Sequence, residues 1–315
     1  MSRSSPTVSR VRSAPGLARA ASLWLALVCL VASAPALAQD FGKYEFRVQD
    51  LGGGLHWLRG AGGNVLACAG PDGVLLVDSD YEPMAAKLQA AVAALGAGPA
   101  RWVVNTHWHF DHVGGNAALA QAGATIVGHA NQRARMATGQ RIAILEEDVA
   151  PSPAAALAGL TFTDSLTFHL NGETVDLWHV PAAHTDGDVV VRFRRANVVH
   201  AGDVFFHTGY PFLDVSSGGS IDGLIAAVEA ILALADDGTR IVPGHGPLAA
   251  KADLAVYRDL LREFRDLVAR EMAAGRDLAA ILAAKPTARL DEKYGQTYFP
   301  PEQFTEMVYR SLGGK

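Results

Sequence analysis

Cysteine is almost missing from this chain, with two residues in 315, Cys29 and Cys68. Cys29 falls in an N-terminal stretch that reads as a removable leader. Cys68 would then stand alone, which excludes an intramolecular disulfide even in an oxidising compartment. Its neighbours Val65-Leu66-Ala67 and Ala69 are those of a small core residue, not of a nucleophile or ligand. Beyond the leader no Gly-x-Ser-x-Gly elbow occurs, so a serine nucleophile of the α/β-hydrolase kind is also lacking. Basic excess is absent as well, with 27 Lys+Arg against 32 Asp+Glu. An acidic body of this kind is a poor partner for RNA or for an anionic membrane surface. Nor is there an apolar run of the roughly 20 residues that a bilayer span requires.

What the N-terminus does contain is ordered. Arg3, Arg10, Arg12 and Arg19 precede an apolar stretch over residues 20–32, and Ala36-Leu37-Ala38 then offers small residues before Gln39. Basic, apolar and Ala-x-Ala elements in that order predict a secretory signal peptide over residues 1–38, cleaved between Ala38 and Gln39. No arginine pair in this stretch suggests a twin-arginine route. The expected product is a periplasmic or secreted chain without a stable membrane span. Removal of the leader takes four of the 27 basic residues and no acidic one, leaving a net charge of −9. No linker-like tract divides residues 39–315, which read as one folded body including C-terminal helices from about residue 251.

Short β-branched runs alternate with Ala- and Leu-rich stretches, the pattern of a layered α/β domain. Residues 63–69 and 73–77 read as a hairpin turning at Pro71-Asp72-Gly73. Residues 101–105 and 124–127 read as strands around a short helix beginning near Asn116. Further strands are expected over 174–180, 188–193, 197–201 and 240–242. Helices are predicted over 83–95, over 221–234 with Ser220 as N-cap, and over 252–274. Residues 132–150 read as helical, and residues 151–159 as a connection.

The chemistry concentrates in His107-Trp108-His109-Phe110-Asp111-His112, directly after the strand ending near Val104. In extended backbone, residues two apart face the same way, so His107 and His109 can reach one metal. Asp111 and His112 follow after a turn and can serve a second centre beside it. Three imidazoles and a carboxylate within six residues suit zinc, which takes nitrogen and oxygen donors. The layout of strand followed at once by donors recurs three times: His184 in Ala183-His184-Thr185-Asp186-Gly187-Asp188, Asp203 after Gly202, and His245 in Pro243-Gly244-His245-Gly246. Loops at strand ends are where α/β proteins build sites.

Taken in order, these motifs resemble the metallo-β-lactamase superfamily, from Asp78 in Leu75-Leu76-Val77-Asp78-Ser79-Asp80 through His245. The resemblance implies a four-layer αββα sandwich with two zinc ions at one edge. It places His107, His109 and His184 on the first ion, Asp111, His112 and His245 on the second, and Asp203 between them. Asp78 matches the family's buried aspartate that supports the site without binding metal. The resemblance further suggests that Asp111 acts catalytically by orienting the nucleophile.

Two metal ions about 3.5–4 Å apart lower the pKa of a bridging water from 15.7 towards about 7. The expected reaction is therefore attack by a metal-bridging hydroxide on a small amide, ester or thioester, with β-lactams the named candidate. Asp203 qualifies that candidate: family β-lactamases usually carry cysteine or serine there, whereas a bridging aspartate resembles glyoxalase II-like thioesterases and lactonases. A carboxylate bridge also admits iron or manganese. Other readings are a mononuclear iron oxygenase acting on sulfur substrates and a non-catalytic metal-binding module. The aromatic loop 205–212 either walls an apolar pocket, with His207 or Tyr210 as hydrogen-bond donor, or is purely structural. Trp108 reads as packing. Of the remaining histidines, His129 is expected nearest the site.

Overall fold

The computed structural model describes residues 40–314; the predicted leader and its cleavage point lie outside them. The first half of the chain builds β1 (Arg47–Asp50), β2 (Leu55–Arg59), β3 (Val65–Gly70), β4 (Gly73–Val77), α1 (Ala85–Ala93), β5 (Ala100–Val104), α2 (Phe110–Val113), α3 (Asn116–Gln121), β6 (Thr125–His129) and α4 (Ala130–Met136). A small hairpin, β7 (Gln140–Ile142) and β8 (Glu147–Val149), leads to β9 (Leu160–Phe162). The second half comprises β10 (Ser165–Leu170), β11 (Glu173–His179), β12 (Val189–Phe193), β13 (Val198–His200), α5 (Ile221–Leu234), β14 (Arg240–Val242), β15 (Ala249–Ala250), α6 (Lys251–Ala273), α7 (Leu278–Ala284), α8 (Ala288–Tyr294) and α9 (Pro301–Ser311).

The strands form a seven-stranded sheet, β1-β2-β3-β4-β5-β6-β9, and a six-stranded sheet, β10-β11-β12-β13-β14-β15. Both are apolar on two faces, which explains the uninterrupted hydrophobic runs. In β4, Leu75 and Val77 enter the core between the sheets, while Val74 and Leu76 face α1 and α3 through Leu88, Val92 and Leu119. In β12, Val189 and Val191 point into the same inter-sheet core, and Val190 faces α5 and α6. The period-2 alternation of side chains thus fills three hydrophobic layers and yields helix, sheet, sheet, helix. The C-terminal helices belong to the outer layer on the second sheet, with Phe264 of α6 and Phe304 and Val308 of α9 fully buried in it. Cys68 is a buried free thiol in the inter-sheet core.

The expected helix over residues 132–150 is a correction. Only α4 is α-helical there, and the chain then folds as β7 and β8 with a single 3-10 turn, Ala143–Leu145, between them. Ala137-Thr138-Gly139 follows α4, and beyond it Ile142 is buried between exposed Arg141 and exposed Ala143. That is strand periodicity over too few residues to outweigh the preceding helical pattern. Among the described residues no helix is long and apolar enough to cross a membrane.

Candidate metal centre

Four loops meet at one edge of the sandwich. They leave the C-terminal ends of β5, β11, β13 and β14, and β11, β13 and β14 run in one direction because β12 is antiparallel to β11 and β13 while β13 and β14 are parallel. The two sheets are tied at this edge by backbone bonds from Val189 N to Thr106 O (2.7 Å) and from Asn64 N to Gly244 O (2.8 Å). The loop after β5 bends at residues 106–108, and His109 in extended backbone (φ −65°, ψ 146°) precedes the single turn of α2, which carries Asp111 and His112.

All seven predicted donors converge. His107, His109, His184 and Asp203 form one group and Asp111, His112 and His245 a second, the ligand atoms within each lying within 4.8 Å of one another. Asp203 faces both groups. Its Oδ2 is 3.8 Å from His107 Nε2 and 3.7 Å from His184 Nε2, and 3.5 Å from His245 Nε2, while Oδ1 is 3.1 Å from His112 Nε2.

The outward nitrogens are fixed by hydrogen bonds made on the far side of each ring. His107 Nδ1 donates to Thr106 Oγ1 (3.0 Å), His112 Nδ1 to Asp78 Oδ2 (2.7 Å), and His184 Nδ1 to Phe212 O (2.9 Å). His109 is reversed: its Nε2 donates to Asp214 Oδ2 (3.0 Å), which turns Nδ1 inward. Asp78 is completely buried and also accepts from Thr106 N and Thr106 Oγ1, both at 2.7 Å.

These residues fit a divalent metal. The inward nitrogens crowd: His184 Nε2 is 2.9 Å from His109 Nδ1, and His112 Nε2 is 3.3 Å from His245 Nε2. Among the described residues His107 Nε2 is buried with no hydrogen-bond partner, which is costly unless a cation is its partner. Burial pushes the His107 imidazole far below its ordinary range and His184 down to about 4, so both present neutral lone pairs. Burial acts likewise on His245, but Asp203 and Asp111 overcome it and push that ring up to about 9. The carboxylates call for positive charge at the centre. Two glycines let backbone pass tightly behind it: a Cβ on Gly63 would stand 2.1 Å from the His112 ring, and one on Gly244 1.9 Å from Asp203 Oδ1.

The family model of the metallo-beta-lactamase superfamily matches residues 58–245, a span that ends on the last of these donors. The chain belongs to the metallo-beta-lactamase superfamily. It is a hydrolase of that superfamily, and its fold is the superfamily's α/β sandwich. A hydroxyacylglutathione hydrolase of Anaeromyxobacter dehalogenans is 30% identical over 236 residues, 72% of this chain and 81% of its own. A metallo-beta-lactamase from Pontibacter korlensis superposes with a TM-score of 0.56 at 19% identity, over 69% of this chain and 99% of its own. A stereoselective inverting sec-alkylsulfatase from a Pseudomonas species gives 0.65 at 18%, over 85% of this chain and 50% of its own.

The remaining expectations divide. Phe206 and Phe212 of the aromatic loop do line a cavity of about 310 Å³ over Asp111, Asp203 and His245. His207 and Tyr210 do not serve it. His207 Nδ1 donates to Pro247 O (2.9 Å), and Tyr210 is buried against Phe264 and Phe304 with its hydroxyl donated to Asp291 Oδ1 (2.8 Å). Trp108 is packing, with Nε1 donated to Ser217 Oγ (3.1 Å). His129 joins neither donor group and stacks on His179 with ring centroids 3.8 Å apart. Sequence reasoning missed Asp214, the partner of His109, and Tyr298 with Phe299, which enter the cavity wall from the segment between α8 and α9.

Proposed function

We propose that this chain is an exported, two-zinc hydrolase of a small ester or thioester, with His107, His109 and His184 holding one ion, Asp111, His112 and His245 the other, and Asp203 bridging. The observation that carries the reading is Asp203 facing both donor groups. A single-metal centre would leave Asp111, His112 and His245 gathered for nothing. When bound, the pair supplies Lewis acidity and a water acidified towards neutrality. The chain's own part is positioning. Asp78 and Asp214 hold His112 and His109 in the ligating tautomer, and Asp111, a cavity-lining carboxylate 3.1 Å from His245 Nε2, accepts a hydrogen of the attacking water at its carboxylate and so aims it. Asp203 and the hydroxyacylglutathione hydrolase relatives support an acyl ester or thioester ahead of a β-lactam.

The test is metal stoichiometry together with turnover of β-lactam, lactone and thioester panels by the chain starting at Gln39. About two zinc ions per chain and metal-dependent thioester or lactone hydrolysis are expected, with Asp203→Ala lowering both. One equivalent of iron with oxygen consumption, or bound metal without turnover in any class, would overturn the proposal.

A further inference from the structure

The walls of the cavity over the donors differ in chemistry from its floor. The floor carries Asp111 and Asp203, both committed to the metal centre under the proposal above. The walls are mostly aromatic and aliphatic and come from separate places in the chain: Phe206 and Phe212 after β13, Ile142 and Leu145 from the β7–β8 hairpin, Tyr298 and Phe299 before α9, and the stacked pair Tyr81 and Phe110. The rings are mutually ordered and reach the donor imidazoles. Phe212 stacks on Phe299 (5.2 Å, 22°) and on His109 (5.2 Å, 21°), and Phe206 stacks on His245 (5.0 Å, 26°) and meets Tyr298 edge-on (5.3 Å, 76°). Aromatic pairs in such arrangements hold one another in place, so the wall is preformed. Among the described residues no lysine or arginine lines this cavity, and its polar lining away from the donors is limited to the hydroxyl-bearing Tyr81, Thr297 and Tyr298.

A carboxylate pressed against the phenylalanine and leucine faces, away from the metal centre on the floor, would lose its hydration without a matching charge, which is strongly unfavourable. A flat apolar group, by contrast, finds stacking surface on three sides. The volume, about 310 Å³, lies at the small end of the roughly 300–1,000 Å³ usual for ligand pockets. We infer that the substrate group seated beside the metal centre is small, uncharged and aromatic or aliphatic, as in a neutral aryl or alkyl thioester or ester. This chain therefore discriminates against carboxylate-bearing, net-anionic substrates such as a glutathione thioester, whatever its relatives accept. The inference rests on the hydrolase reading for the position of the scissile bond, but the binding preference itself does not need turnover.

Two non-hydrolysable thioethers separate the two. S-benzyl-N-acetylcysteamine is neutral, and S-benzylglutathione carries the same benzyl group on an anionic tripeptide. Calorimetric titration of the zinc-loaded chain is expected to show the neutral thioether binding at least about 10-fold more tightly. Phe299→Ala is expected to weaken the neutral thioether about 10-fold by removing a wall. Leu145 is 38% exposed at the rim, so Leu145→Arg adds a cation without disturbing the core and is expected to tighten S-benzylglutathione at least about fivefold. Equal or tighter binding of S-benzylglutathione to the unmodified chain, no binding of either thioether, or indifference to both substitutions would overturn the inference. Absence of turnover across the ester, lactone and thioester panels would overturn the hydrolase reading and leave the thioether result standing.

Discussion

A single carboxylate shows how this centre depends on residues that never touch a metal. Asp214 is buried, and although burial opposes its ionisation, His109 and the serines at 216 and 217 hold it well below the usual carboxylate range. It accepts from His109 Nε2 and from Ser217 N (3.1 Å), so it sets the imidazole's tautomer and closes its own turn. Outer partners of this kind typically contribute 10–100-fold in metal affinity. Asp214→Asn, which still accepts from His109, is expected to lower zinc affinity by about 10-fold and Asp214→Ala by nearer 100-fold, measured by competition with a chromogenic chelator. Unchanged affinity in both, with only thermal stability reduced, would show that Asp214 merely closes the 214–217 turn. The meeting of these seven side chains was readable from the amino-acid order because ligand types follow strands at short spacing. Asp214 was not, because nothing within its own segment distinguishes it from a turn aspartate; its partner lies 105 residues away. Tyr298 and Phe299 were invisible for the same reason, being brought over the centre by the packing of α9 and not by any local pattern.

Among the elements, α4 has a start that responds to pH. His129 caps it, with Nδ1 accepting from Asn131 N (3.2 Å), while Nε2 donates to Thr163 O (2.9 Å). Only the first bond requires the neutral ring, since the imidazolium keeps its Nε2–H and loses the Nδ1 lone pair. Burial, and then the stacked His179, lower the His129 pKa below its ordinary 6.5, against weaker opposite contributions from Thr163 O, Asp186 and Asp164. A histidine whose folded pKa is depressed contributes stability that is complete above about 6.5 and is lost as pH falls towards the folded value. His129→Asn keeps a good cap without the titration. Between pH 7 and pH 5 the unmodified chain is expected to lose about 1 kcal/mol more than the variant, the worth of one cap, as read from denaturant midpoints. Parallel losses would remove His129 from the account. Element legibility followed burial: β4, β5, β12, α5 and α6 were readable to within a residue or two because they are long or apolar on both faces. Strands β1, β9 and β10 were not, since they are exposed over much of their length and lack a continuous apolar run, and the β7–β8 hairpin was absorbed into the helical pattern before it.

At the scale of the whole molecule, the donor groups join two sheets that otherwise meet through their shared apolar core and a few backbone bonds. His107, His109, Asp111 and His112 hang from the seven-stranded sheet, whereas His184, Asp203 and His245 hang from the six-stranded one. Each group takes donors from both sheets, so a cation in either place fastens one sheet to the other. Without cations, this edge keeps a few backbone bonds across the sheets but also, among the described residues, an orphaned imidazole nitrogen and a buried Asp203 beside the half-buried Asp111. A ligand bound only by the folded state stabilises it by about 4 kcal/mol at a thousand times its Kd, and in a domain of this size each kcal/mol moves the melting temperature by roughly 2–4 °C. Chelation is therefore expected to lower the melting temperature by roughly 10 °C without abolishing cooperative unfolding, and zinc should restore it. Asp203→Ala, which removes the donor shared by both groups, should reduce this chelator-dependent shift while lowering the starting melting temperature. A chain whose melting temperature stays put as its metal content falls to zero would show that the sandwich holds its edge together by packing alone, and that the crowded imidazoles are tolerated, not used.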